Sequence, residues 1–192
     1  MGKAEFGMLD AILDELVKSW NDNEYQPLLE ADVAGWLFHI MISAKDFYNS
    51  KKEEIHLETR VTNQPQVKPD IVIGEVNQNP EGQRICIDPR VVIEIKLFPS
   101  KGFTNSQHFV HLEHVLEDDL PKLKLILEEN RKCLCYSLII DGDSYLEKEF
   151  KKGKYESTTT RWQIINERNN SNKNIVLYFI KFSGNRWSWE RV

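Results

Sequence analysis

Nowhere in this chain do apolar residues run on for the ~20 positions that cross a bilayer, so no membrane-spanning helix and no membrane partner are expected. Cysteine is scarce. The three present, Cys86, Cys133 and Cys135, are an odd number without metal-ligand spacing, and they read as reduced thiols filling space. An excess of positive charge is missing too: 25 Lys and Arg stand against 30 Asp and Glu. The resulting net charge of −5 argues against a broad grip on nucleic acid through counterion release. It leaves room for a nuclease, because a metal site brings its own acids and its own cations. The first ten residues mix Lys3 with Glu5 and Asp10 and hold no continuous apolar block, so no signal peptide is expected and the cytoplasm is the expected location. Repeats and low-complexity blocks are absent as well. What is present is 192 residues, 41% of them hydrophobic, enough to bury the core of one domain over 1–192.

Two segments carry the chemistry. Lys68-Pro69-Asp70-Ile71-Val72-Ile73-Gly74 and Val91-Val92-Ile93-Glu94-Ile95-Lys96-Leu97-Phe98 both read as strands, and both interrupt β-branched and aliphatic runs with charge. Charge is costly inside a sheet unless it is paired or put to use. In the second segment, alternation sets Glu94 and Lys96 on one face with Val92 and Phe98, and Val91, Ile93, Ile95 and Leu97 on the other; the two charged side chains then stand roughly 7 Å apart. A strand bearing Asp70 beside it adds a second carboxylate. Two carboxylates on adjacent strands suit Mg²⁺, which takes a few carboxylates and keeps its waters.

The remaining pattern frames these strands. Phe6, Leu9, Leu13, Leu16, Val17 and Trp20 recur at helical spacing. A second helix is expected to begin near Pro27, with Val33, Leu37, Ile40, Met41, Ala44, Phe47 and Tyr48 on one stripe. Glu30 falls on that stripe, three and seven residues before Val33 and Leu37, and supplies a third carboxylate. Residues 54–61 alternate as an edge strand with Ile55, Leu57, Thr59 and Val61 inward. Asn77 to Gly82 is a turn, and Arg84 to Ile87 extends the returning strand. Residues 107–130 are helical, with a break or a fresh helix start at Asp118-Asp119 before Pro121. Leu134 to Ile140 is a buried strand, and a short C-terminal addition holds a strand over Ile175–Phe182, a Gly-Asn turn and Trp187-Ser188-Trp189.

This order of elements, with Pro69-Asp70 on one strand and Glu94-Ile95-Lys96 on the next, resembles the core of the PD-(D/E)xK nuclease superfamily, the restriction-endonuclease-like fold, over about residues 27–140. The resemblance implies an α/β domain: a mixed central sheet flanked by helices in the order αβββαβ, with an extra N-terminal helix. It further implies a metal-dependent nuclease, most simply a DNA endonuclease. Asp70 and Glu94 would bind Mg²⁺, or Mn²⁺ in its place, with the backbone carbonyl of Ile95 and with Glu30. Lys96 would position or help deprotonate the attacking water. No Gln-x-x-x-Tyr follows the third strand, where the chain reads Gln107-His108-Phe109-Val110-His111. That departure does not favour a RecB-type exonuclease.

Blander readings stand beside these. Lys51-Lys52, Lys122 with Lys124, and the lysines at 148–154 are expected to be solvated faces. His108, His111 and His114 point too far apart on a helix to share zinc as a trio. Trp187 and Trp189 are expected in the core. A catalytically inactive member of the fold that binds nucleic acid or a partner protein is the alternative function, and a small metal-dependent phosphoesterase is a third. The negative charge and short length suggest that a homodimer or partner subunit completes a substrate groove.

Overall fold

Alternation along one long strand organises the molecule. The computed structural model describes residues 3–44, 53–59, 61, 67–78, 84–98, 114–142 and 175–191. Its elements are α1 (Lys3–Asp22), α2 (Glu30–Ser43), β1 (Glu53–Leu57), β2 (Ile71–Gln78), β3 (Arg84–Phe98), a π-helical turn (Val115–Asp119) leading into α3 (Leu120–Glu129), β4 (Leu134–Asp141), β5 (Ile175–Ser183) and β6 (Arg186–Arg191). The six strands make one mixed sheet in sequential order. β1, β2 and β3 pair antiparallel, β3, β4 and β5 run parallel, and β6 closes the far edge antiparallel to β5.

Odd residues of β3, from Val91 to Leu97, join a core with Leu13, Leu16 and Trp20 of α1 and Val33, Leu37 and Met41 of α2. Even residues Val92 and Phe98 join a second core with Leu120, Leu123 and Ile126 of α3. The crossover from β3 to β4 thus covers one sheet face and the N-terminal helices cover the other. β4 is buried along its whole length, as a central parallel strand between two helical layers must be.

Several expectations shift by a few residues. α2 starts three residues after Pro27, where the Asp32 carboxylate accepts the backbone N–H groups of Leu28 and Leu29, each at 2.9 Å. It ends at Ser43, so Ala44 is its C-cap, and Phe47 and Tyr48 lie outside the described residues. β1 stops at Leu57 because Glu58 adopts φ 46°, which breaks the pleat. Leu57 is consequently exposed, and Val61 packs in the opposite core from Ile55. The C-terminal addition is part of the sheet: β5 and β6 form its last two strands around Gly184 and Asn185, both at positive φ as a two-residue hairpin turn demands. Trp187 is buried against Trp20, with ring centroids 4.9 Å apart, and Trp189 packs on Tyr178.

Candidate functional site

The site forms where one strand outruns its neighbour. β2 pairs with β3 only as far as Ile71 opposite Ile93, while β3 continues to Phe98 with β4 on its other side. Beyond Ile93, the backbone groups of Ile95 and Leu97 face the side that β2 has vacated. Two carboxylates take over that edge. Asp70, in the bend just before β2, accepts the Ile95 N–H at 2.6 Å, and Glu30, in the first turn of α2, accepts the Leu97 N–H at 3.2 Å.

Two lysines and two further acids stand with them. Lys96 Nζ lies 3.4 Å from Glu30 Oε1 and 3.7 Å from Asp119 Oδ2. Glu94, only 3% exposed, accepts a hydrogen bond at 2.9 Å from Lys122 of α3. Its other oxygen, Oε1, is buried with no hydrogen-bond partner among the described residues. Asp119 owes its place to the π-helical turn. The Leu120 N–H bonds back to the Val115 carbonyl, and the wider loop, placed just before Pro121, turns Asp119 inward at the start of α3.

Four carboxylates therefore face two lysines, and the electrostatics record the imbalance. Burial pushes Glu94 up to about 8, with the charge of Asp70 adding to the shift and Lys122 opposing it. Burial likewise raises Asp119 to about 6 against the pull of Lys96 and Lys122. Asp70 is raised by burial, although the Ile95 N–H works the other way. Burial also works against the ammonium of Lys96, but Asp119 and Glu30 outweigh it and hold that group above the ordinary lysine range. Lys96 is held as a cation in this arrangement.

Asp70, Glu94, Lys96 and Glu30, singled out from the sequence, thus converge on one end of β3. Asp119 and Lys122 were missed as site residues, the first read as a helix break or fresh helix start and the second as part of a solvated face. A signal for both was present in the chain: Asp119 lies four and seven residues before Leu123 and Ile126, and Lys122 four before Ile126, the same core-facing spacing that marked Glu30. Among the histidines, His114 is exposed and meets Asp118 at 2.6 Å, while His108 and His111 lie outside the described residues. Cys133 and Cys135 are free and buried, with their sulfurs 4.0 Å apart. The bond to Cys133, together with burial, pushes the Cys135 thiol far up, so it is an inert filler.

No family model matches the chain, and no curated protein matches it. One similar solved structure is that of Pyrococcus furiosus SfsA in complex with Ca²⁺. The likeness has a TM-score of 0.35 and 12% identity over 84% of this chain. The match spans 63% of SfsA. At that score the likeness assigns neither fold nor function, and the functional reading rests on the residues themselves. Among the described residues no helix is long and apolar enough to cross a membrane.

Proposed function

We propose that the chain is a metal-dependent nuclease of restriction-endonuclease-like architecture, hydrolysing phosphodiester bonds of nucleic acid, most simply DNA, at the end of β3. The observation that carries this is the gathering of Glu30, Asp70, Glu94 and Lys96, from three separate elements, on the stretch of β3 that β2 leaves uncovered. The donor set fits a divalent cation. It is all oxygen, it holds more negative than positive charge, and one buried carboxylate oxygen of Glu94 lacks a partner. Glu94, Asp70 and Glu30 would hold the ion, with the carbonyl of Ile95, which in an extended strand turns to the same side as the N–H that Asp70 accepts. When bound, Mg²⁺ or Mn²⁺ would supply charge neutralisation at the phosphate and a more acidic water. Lys96, held as a cation by Asp119 and Glu30, would position the attacking water or help to deprotonate it, and would meet the negative charge that builds on the phosphate. Asp119 acts through Lys96 and is a positioning residue.

The non-catalytic alternative has one observation in its favour. Among the described residues no three His, Cys, Asp or Glu side chains are grouped to hold an ion as they lie, and Lys96 and Lys122 pair with Glu30, Asp119 and Glu94. Cleavage separates the two readings. Supercoiled plasmid, linear single-stranded DNA and RNA are incubated with Mg²⁺ or Mn²⁺ and with EDTA. Metal-dependent cleavage that Lys96→Ala abolishes, while metal binding stays largely intact, is the expected result. Full activity in the variant removes Lys96 from the mechanism, and no cleavage by folded wild type favours a binding protein.

A further inference from the structure

The cation seen on Glu94 comes from the protein itself. Lys122 reaches from the first turn of α3 to Glu94 Oε2 at 2.9 Å, with its side chain 24% exposed and that of Glu94 3% exposed. In its charged form Glu94 can tolerate such burial only beside a positive charge, since an uncompensated buried carboxylate is strongly destabilising. The long lysine stem, open to solvent on one side, can leave the carboxylate without unpacking α3, whose buried stripe is Leu120, Leu123, Ile126 and Leu127. Lys96 is placed differently: it lies between Glu30 and Asp119, and neither of its ion pairs involves Glu94.

We infer that Lys122 is a built-in placeholder for the divalent cation: its ammonium neutralises Glu94 in the metal-free protein and yields that carboxylate when the ion enters. The inference rests on the metal-site reading above and deepens it. Both cations need the charge of the same carboxylate, so Lys122 competes with the metal while it stabilises the metal-free site. A merely structural lysine behaves otherwise, because its loss disorders the site and weakens metal binding.

The test compares wild type, Lys122→Met, which keeps length and apolar stem, and Lys122→Arg, which keeps the charge. Mg²⁺ binding is measured by calorimetry, and melting temperature is measured in EDTA and in saturating Mg²⁺, both at about pH 9, above the value of about 8 to which Glu94 is raised, so that the carboxylate is charged. For Lys122→Met the expected result is a lower melting temperature in EDTA, a larger gain on adding Mg²⁺, and Mg²⁺ affinity raised about tenfold, the size of one moderate charge interaction. Lys122→Arg is expected to bind Mg²⁺ no more tightly than wild type. Equal or weaker Mg²⁺ binding by folded Lys122→Met overturns the placeholder role while leaving the metal site standing. Failure of wild type and both variants to bind Mg²⁺ or Mn²⁺ overturns the metal-site reading, and the placeholder with it. Should Lys122→Met not fold without metal, refolding it in Mg²⁺ decides: recovery supports the placeholder, and continued failure to fold contradicts it.

Discussion

A single carboxylate shows what the site costs the fold. Glu94 has its pKa raised from 4.5 to about 8, so the folded chain holds its proton more tightly than the unfolded chain does. Its contribution to stability is therefore complete below pH 4.5 and is lost as pH rises through 8. Asp119, raised to about 6, adds a smaller loss in the same direction between pH 4 and 6. Glu94→Gln removes the larger of the two. In EDTA, the variant is expected to melt at or above the wild-type temperature, with the difference widening between pH 5 and 9, at about 2–4 °C per kcal/mol for a chain of this size. A melting difference that does not change with pH would show that Glu94 is not held protonated by burial. Sites that gain stability when a functional charge is removed are common where binding has been favoured over packing.

At the scale of elements, the β2–β3 hairpin controls where the site opens. A register shift falls between Ile73 and Gly74, which stands opposite Pro89, and a Cβ built at Gly74 would come within 2.1 Å of the Asp88 carbonyl oxygen. Backbone cannot yield cheaply at that distance. Gly74→Ala is expected to lower stability by about 2–3 kcal/mol in chemical denaturation, and a neutral result would mean that the hairpin can slide without penalty. The strands themselves were legible in the sequence because charge inside an apolar, alternating run has few explanations. Asp70 and Glu94-Ile95-Lys96 stood out for that reason, and Glu30 did so by sharing a stripe with Val33 and Leu37. Asp119 and Lys122 did not, since charge on a helix is cheap on a solvent face and only the crossover packing of α3 decides which face that is. The ends of α2 and β1 were equally hidden, one set by the reach of Asp32 to the backbone and the other by the left-handed turn at Glu58.

Across the whole molecule, the last strands and the first helix secure one another. Asn21 exchanges hydrogen bonds with the backbone of Trp187, and the Trp187 indole N–H donates to the Tyr25 carbonyl at 2.8 Å. Tyr178 and Trp189 reach back to Asp10 and Asp14 of α1. Trp187→Ala is expected to cost about 3–5 kcal/mol by denaturant titration, the ordinary loss for a buried large aromatic, and a loss under 1 kcal/mol would mean that β6 is not part of the cooperative unit. The helices thus clamp the sheet from both faces, so the end of β3 beyond its pairing with β2 is held by rigid elements, as the proposed catalysis by positioning requires. The most direct test of the central claim is the rate at which the folded chain nicks supercoiled plasmid in Mg²⁺, compared with Glu94→Gln at equal concentration. The account predicts nicking by wild type that EDTA stops and that the variant loses by about a thousandfold or more, the scale of a lost electrostatic element in an active site. Nicking that survives in Glu94→Gln, or that persists in EDTA, would contradict it.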